Sequence, residues 1–131
     1  MQTPREATAT AEAADRAYRD TAELKIQEIA SFLQGQFSQR VVARLAGIED
    51  PKQVGRWSRG QNEPRFESEF RLRTAFQVFR YIEECANRHV ARAWMMGMNP
   101  QLEDESPLLV IADDRFKEVM AAARSYRQGD L

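Results

Sequence analysis

Apolar residues recur at helical spacing along most of the chain. From about Ala13 to Leu33 they follow one another at steps of three and four, at Tyr18, Ala22, Ile26, Ile29 and Leu33. The longest periodic segment runs from Glu67 to about Cys85, and its broad apolar face carries Phe70, Leu72, Phe76, Phe79 and Ile82. Steps of three and four place side chains on one face of an α-helix. Both segments are therefore predicted to be amphipathic helices.

Two shorter helices are predicted between these segments. Ser38 is placed as the N-cap of a helix over Gln39–Ala46, and Gly47 follows where the chain leaves a helix in a left-handed conformation. Asp50–Pro51 combines a capping carboxylate with a proline at the first helical position. The second short helix is expected to begin there and to end near Gly60.

Past Cys85 the periodic pattern breaks into shorter pieces. A break is expected around Asn87–His89, followed by a short helix through Val90 and Trp94 that Gly97 and Asn99–Pro100 terminate. Acidic residues 103–105 then form a solvated turn.

The end of the chain carries one segment that could pass for a strand. Pro107 opens the apolar run LLVIA, whose length and isolation favour a buried helical turn. Asp113 or Asp114 is expected to cap a last helix to about Tyr126, with an inward face of Phe116, Val119, Met120 and Ala123. With one doubtful strand and five or six helices, the predicted fold class is all-α.

Composition narrows the function classes. The chain has 131 residues, a single cysteine (Cys85) and a single histidine (His89), which leaves no disulfide framework, multi-cysteine metal site or two-histidine hydrolase centre. Glu83 and Glu84 do not converge with His89 on a metal. No run approaches the roughly 18 apolar residues of a membrane span, and the start lacks a signal-peptide core. We expect a cytoplasmic protein that is not an enzyme and needs no cofactor or metal.

The formal net charge of −1 hides an uneven distribution. Residues 36–66 carry a net charge of +3 and residues 99–131 a net charge of −3, while residues 1–35 carry −2 and residues 67–98 carry +1. Such an asymmetry indicates a nucleic-acid face beside a face with another task.

The basic segment has the layout of a helix-turn-helix unit. Ala43 is small enough for two helices to approach closely, while Ile48, Val54 and Trp57 supply a buried side. The polar residues predicted to contact DNA are Gln39, Arg40, Arg44, Lys52, Gln53, Arg56 and Arg59. Arginine favours guanine and glutamine favours adenine in the major groove, so the start of the second helix is the expected reading element.

These residues resemble a known motif. The series Gln39, Ala43, Gly47, Val54, Trp57, Gly60 and Pro64 is similar to the Xre-type helix-turn-helix of small bacterial and phage regulators, and its tail is intact as VGRWSRGQNEP. One departure is that Gly47 and Val54 stand seven residues apart, one more than usual, so the turn must be longer. Gly55 inside the second helix is expected to permit close approach to DNA, at a cost of roughly 1 kcal/mol against alanine.

The second half resembles the toxin-binding domain of Xre/MbcA/ParS-type antitoxins. From Leu72 onward the corresponding marks are Ala93–Trp94–Met95, Asn99, Leu102, Pro107, Ile111 and a closing amphipathic helix. Together the two resemblances cover about residues 30–128. Residues 1–12 are small, polar and alanine-rich and are predicted to be a disordered tail. The two resemblances imply a DNA-binding domain over residues 13–66 and a helical toxin-binding or oligomerisation domain over residues 67–131.

The resemblance implies an antitoxin of a type II toxin–antitoxin system. Its partners would be a RES-domain toxin that degrades NAD and double-stranded operator DNA, with a homodimer or a hetero-oligomer with the toxin as the expected assembly and no membrane. The residues expected to contact the toxin are Met95, Met96, Met98, Asn99, Arg127 and Leu131. We interpret Trp57 as core and favour a core position for Trp94 over a toxin contact.

Two alternatives stay open at this stage. One is a free-standing helix-turn-helix repressor, such as a phage immunity protein, whose second domain dimerises or adds a DNA contact. The other is a protein-interaction module that has lost DNA binding.

Overall fold

The computed structural model describes the backbone of residues 4–128 and the side chains of residues 11–126. It is all-α, as predicted, and the described residues form no strand. The helices are α1 (Pro4–Glu23), α2 (Ile26–Phe37), α3 (Gln39–Ala46), α4 (Lys52–Ser58), α5 (Phe66–Cys85), α6 (Arg88–Met96), α7 (Pro107–Ala112) and α8 (Phe116–Gln128). A 3-10 turn, Pro100–Leu102, lies between α6 and α7.

Helix α5 is the central element of the fold. It packs against α1, α2, α3, α6, α7 and α8, so both halves of the chain share one hydrophobic core. Phe79 is fully buried within it, and Phe32 meets the rings of Phe76 and Phe79 edge-on with centroids 5.2 Å apart in both pairs. Edge-to-face aromatic pairs stabilise a core beyond their buried area. Edge-on aromatic pairs therefore join α2 to α5 within a core that is otherwise mainly aliphatic.

The first predicted helix is two helices, and it starts earlier than expected. Helix α1 begins at Pro4, so residues 4–12 are helical where the sequence predicted a disordered tail. Alanine has the highest helix propensity and proline suits a first turn, which explains the extension. The chain breaks before α2, where the Glu28 carboxylate accepts the backbone N–H of Lys25 at 3.1 Å. Tyr18 is 62% exposed, so the predicted apolar stripe does not continue through α1.

The caps of α3 are as predicted, whereas α4 begins at Lys52, one residue after the predicted first helical position, Pro51. The Ser38 hydroxyl accepts the Val41 N–H at 3.3 Å, and Gly47 leaves α3 in the left-handed region with φ 80°. The Asp50 carboxylate accepts the Lys52 N–H at 3.0 Å across Pro51. These local signals were sufficient because each cap involves residues only two to four positions apart.

The predicted aspartate cap of the last helix is wrong. Asp113 ends α7, while Asp114 adopts a left-handed conformation with φ 62° and turns to α5. Its carboxylate accepts hydrogen bonds from Nε and Nη2 of Arg71 at 2.9 and 3.1 Å. Helix α8 begins one residue later, after Arg115. A tertiary ion pair has therefore replaced the local cap.

The apolar run LLVIA forms α7, which confirms a buried helical turn over a strand. The Ser106 hydroxyl accepts the Leu109 N–H at 3.3 Å, and Leu108, Val110 and Ile111 are buried.

Two of the predicted core phenylalanines lie further out than expected. Phe70 is 47% exposed and meets Phe116 with ring centroids 4.8 Å apart. Phe116 is only partly buried, whereas Val119 and Ala123 of the same helix are in the core as predicted.

Candidate nucleic-acid and partner interfaces

The α3–α4 pair is built on a small, buried contact side. Val42, Ala43, Val54 and Trp57 are at most 4% exposed, which confirms Trp57 as a core residue. Helix α4 packs against α2 and α3. Two short helices held in this way present their other faces to solvent, as a DNA-reading unit requires.

The connection between α3 and α4 is ordered by its own backbone and by Asp50. The Ile48 N–H donates to the Ala43 carbonyl at 3.0 Å, which closes α3 around the left-handed Gly47. Asp50 Oδ1 caps α4, and Asp50 Oδ2 lies 3.9 Å from Arg56 Nη1. The longer turn thus places one carboxylate where it serves both the helix start and the arginine one turn later.

Most of the predicted DNA-contacting cations are free of intramolecular ion pairs. Arg40, Arg44, Lys52 and Arg59 are exposed, and none has an ion pair within 4.0 Å among the residues whose side chains are described. Arg59 does donate from Nη2 to Gln61 Oε1 at 3.3 Å. Of the predicted arginines, Arg56 is the one with an ion pair among the described side chains, through its long contact with Asp50. Exposed unpaired cations on neighbouring helices are suited to phosphate contacts.

The two predicted glutamines are held by neighbouring amides. Gln39 Nε2 donates to Gln34 Oε1 at 3.1 Å, and Gln53 Oε1 accepts from Asn62 Nδ2 at 3.0 Å. Gln39 therefore faces α2 as much as solvent. The Asn62 contact was not predicted from the sequence, because the two residues lie on opposite sides of the turn that ends α4.

Gly55 has a different role from the one expected. It is buried, and a Cβ there would lie 2.7 Å from Gln39 Nε2 and 3.1 Å from Arg59 Nη1. Its missing side chain leaves space for Gln39 and Arg59 within the protein. The expected close approach of Gly55 to DNA is wrong, because the position faces α3.

A polar clamp that the sequence did not reveal holds the end of α3. The Ala46 carbonyl accepts from Ser68 Oγ and from Arg71 Nη1, both at 2.8 Å. Arg71 also pairs with Asp114, and this contact is the leading cause of the lowered pKa of the Asp114 carboxyl. Arg71 thus joins the end of α3 to the turn between α7 and α8.

The predicted toxin contacts differ in how far their side chains are exposed to solvent. Met95 is fully buried, so its side chain is excluded from direct contact with a partner in this conformation and that prediction is wrong. Met96 and Met98 are 49% and 82% exposed. Asn99 is 9% exposed, and its side chain accepts the Gln101 N–H at 2.9 Å as the cap of the 3-10 turn. Among the predicted toxin contacts whose side chains the structure describes, Met96 and Met98 are the exposed residues.

The remaining predictions for this end have mixed outcomes. Trp94, for which a core position was favoured, is only half-buried, and its ring packs on Tyr126 with centroids 6.4 Å apart. Arg127 belongs to α8, but its side chain and all of Leu131 lie outside the described residues.

The described residues hold neither a group of metal-ligating side chains nor a helix long and apolar enough to cross a membrane. No His, Cys, Asp and Glu side chains cluster as metal ligands in that part of the chain.

Sequence comparison gives one set of similar proteins. The chain is 29% identical over 79 residues to the mycobacterial cidal antitoxin MbcA of Mycobacterium tuberculosis and of Mycobacterium bovis. The match covers 60% of this chain and 70% of each relative. No protein-family model and no solved structure matches the chain. The chain is thus similar to antitoxins named MbcA over part of its length.

Proposed function

We propose that this chain is a non-enzymatic antitoxin that binds and neutralises a RES-domain, NAD-degrading toxin and represses its own operon by binding DNA. The observation that carries the proposal is the similarity to the antitoxin MbcA over 60% of the chain. The proposed site of action is the cytoplasm. The two activities use different surfaces of one helical core, with DNA at the α3–α4 pair and the toxin at the end of α6.

The DNA-binding part of the proposal rests on the charge and exposure of the α3–α4 pair. Arg40, Arg44, Lys52 and Arg59 are exposed cations without intramolecular ion pairs among the described side chains, and they supply the phosphate contacts. Arg56 and Gln53 lie on α4 and read bases, with Arg56 oriented by Asp50. Neutralising several phosphates makes the affinity fall steeply with salt concentration.

The toxin-binding part rests on the exposed methionines at the end of α6. Met96 and Met98 are flexible apolar side chains on a surface that is followed in the chain by the acidic residues 103–105. Methionine adapts its shape to a partner at little cost, which suits a protein interface. Arg127 and Leu131 remain proposed contacts from the C-terminal end.

The toxin test is co-purification and rescue. The chain is co-expressed with the RES-domain toxin of the neighbouring gene, and we expect a stable complex and recovery of growth. Met98→Asp is expected to weaken both, whereas Leu109→Asp introduces the same charge on α7 and serves as the matched control. Absence of a complex between the two unaltered proteins would rule out the antitoxin assignment for that toxin.

The DNA test is a gel shift on the chain's own promoter at two salt concentrations. We expect Arg56→Ala to cost about 1–3 kcal/mol of specific binding. Arg40→Ala should weaken binding to all DNA sequences alike. It should also make the affinity less dependent on salt concentration, by the amount expected for about one phosphate contact. Arg92→Ala removes an exposed arginine from α6 and controls for net charge. If Arg56→Ala and Arg92→Ala bound the promoter with the same affinity, α4 would not be the helix that contacts the bases.

A free-standing repressor is the second candidate, and the unpaired cations of the α3–α4 pair favour it as well. It predicts operator binding without any toxin complex. The combination of promoter binding and failed co-purification would select it.

A further inference from the structure

The end of α4 folds back on the helix through its backbone. Gly60 has φ 72°, and its N–H donates to the Trp57 carbonyl at 3.0 Å. The Gln61 N–H donates to the Arg56 carbonyl at 2.9 Å. This pair of hydrogen bonds is the Schellman motif, which closes a helix around a left-handed residue. The position of Asn62, the next residue, is therefore set by the backbone that ends α4.

Asn62 contacts one of the residues predicted to read bases. Its Nδ2 atom donates to Gln53 Oε1 at 3.0 Å, nine residues earlier in the chain. Both side chains line the cleft that Trp57 and Pro64 also border, and Gln53 is only partly exposed. Gln53 Nε2 has no acceptor among the described residues. The Gln53 amide is thus engaged through its oxygen, while its two N–H donors stay available.

A glutamine amide reads bases differently according to which of its atoms is available. Adenine presents its N6 amino group and its N7 acceptor in the major groove, so pairing with adenine uses both the oxygen and the nitrogen of the amide. Guanine presents two acceptors, O6 and N7, which suit a donor. The orientation of an amide is decided by its hydrogen-bond partners. With its oxygen turned to Asn62, the Gln53 amide offers its N–H groups to the DNA.

We propose that Asn62 is a positioning residue for DNA recognition, a role that rests on the proposed DNA binding and deepens it. Asn62 holds the Gln53 amide as a hydrogen-bond donor, so that Gln53 reads guanine. The preference of glutamine for adenine holds for an amide that is free to use both of its polar atoms. Gln53 lacks this freedom because Asn62 engages its oxygen.

Replacing the donor of Asn62 by an acceptor should reverse the Gln53 amide. In Asn62→Asp the carboxylate only accepts, so we expect it to hold Gln53 Nε2 and to leave Oε1 facing the DNA. The favoured base should then change from guanine to one with an exposed amino group, adenine or cytosine. Asn62→Ala removes the bond altogether and should reduce the preference for guanine over adenine about tenfold.

The measurement is competition binding of the full chain to promoter duplexes in which each base pair is replaced in turn. Gln53→Ala identifies the base pair concerned, since the preference should be lost there and kept elsewhere. Gln61→Glu is the matched control, because it adds the same negative charge as Asn62→Asp one residue away, where the side chain accepts from Arg59. We expect Gln61→Glu to weaken binding to all duplexes without changing the preferred base.

A second readout needs no DNA. The side-chain N–H of Asn62 that bonds Gln53 should exchange with water more slowly in the unaltered chain than in Gln53→Ala, as followed by ¹H–¹⁵N NMR. The Asn87 side chain provides the control, because its oxygen caps α6 and its N–H groups have no acceptor among the described residues. Equal exchange rates for Asn62 in the two proteins would overturn its positioning role.

The outcomes separate this role from the function on which it rests. A change of the preferred base in Asn62→Asp but not in Gln61→Glu supports it, since a purely structural loss would weaken all duplexes alike. Promoter binding that favours adenine in the unaltered chain, or the same base in Asn62→Asp, overturns the role of Asn62 and leaves DNA binding standing. Absence of promoter binding by the unaltered chain overturns both.

Discussion

Gly47→Ala is expected to destabilise the protein through Arg71, a residue of another helix. Gly47 has φ 80°, and an alanine Cβ there would lie 2.6 Å from Arg71 Nη1. The left-handed conformation alone costs an L-residue about 1–2 kcal/mol. The new methyl group must also displace the guanidinium from the Ala46 carbonyl, which it contacts at 2.8 Å.

The strained backbone at position 47 and the lost hydrogen bond of Arg71 together determine how far the free energy of unfolding falls. A hydrogen bond from a charged donor contributes about 1.5–3 kcal/mol, and the Arg71 side chain is 17% exposed, so solvent screening reduces that contribution only in part. Reduced freedom of the unfolded chain offsets about 0.4–1 kcal/mol. We therefore expect Gly47→Ala to lower the free energy of unfolding by about 2–3 kcal/mol.

A double-mutant cycle with Arg71→Ala isolates the contact. Without the guanidinium, Gly47→Ala should cost only the backbone term, about 1 kcal/mol, which leaves a coupling energy of about 1–2 kcal/mol. Urea unfolding followed by tryptophan fluorescence measures all four proteins, and an unchanged slope shows that the denatured state is the same.

Gly35 provides the matched control. It lies within α2, and a Cβ there would have no neighbour within 4 Å. Gly35→Ala should therefore stabilise the protein by about 0.5–1 kcal/mol, the opposite sign for the same substitution. A coupling energy below about 0.3 kcal/mol between positions 47 and 71 would refute the clamp.

Three further predictions concern stability. Arg71 holds the pKa of Asp114 below its ordinary value, so the ion pair stabilises the fold at neutral pH and is lost as the pH falls through the lowered pKa. The difference in the free energy of unfolding between the unaltered protein and Asp114→Asn should therefore shrink below about pH 4. A difference that does not change with pH would exclude the pairing. Ser38→Ala and Ser38→Gly both remove the hydroxyl that caps α3, but at φ 104° alanine is strained and glycine is not. In thermal unfolding, Ser38→Ala should therefore destabilise the protein by about 1 kcal/mol more than Ser38→Gly. Phe79→Ala should cost about 3–5 kcal/mol in urea unfolding, and a loss under 1 kcal/mol would contradict its place in the core.

Local signals account for the parts of the fold that were predicted correctly. Ser38, Gly47 and Asp50 act on backbone groups two to four residues away, so their roles could be inferred from neighbours in the chain. The broad stripe of α5 likewise reports burial on several sides. The all-α class follows from such signals, since none of them depends on how the helices pack.

Contacts between distant residues account for the errors. Asp114 looks like a helix cap until Arg71, 43 residues earlier, is brought beside it. Met95 and Met96 are adjacent in a short helix, and only the position of α6 on α5 decides that the first is buried and the second exposed. Nothing in the local pattern distinguishes those two methionines, so the predicted partner surface included Met95, which is buried.

The shared core determines how the two proposed activities are to be separated. Helix α5 contacts α2 and α3, next to the proposed DNA contacts, and also α6, α7 and α8, while α3 itself packs on α7. A fragment ending at residue 66 would expose Val42, Leu45 and Ala46, which are buried in the full chain. Loss of DNA binding by such a fragment would report unfolding, because its apolar surface no longer has a partner. Surface substitutions in the full chain, Arg56→Ala on α4 and Met98→Asp beyond α6, change one face each and leave this core in place.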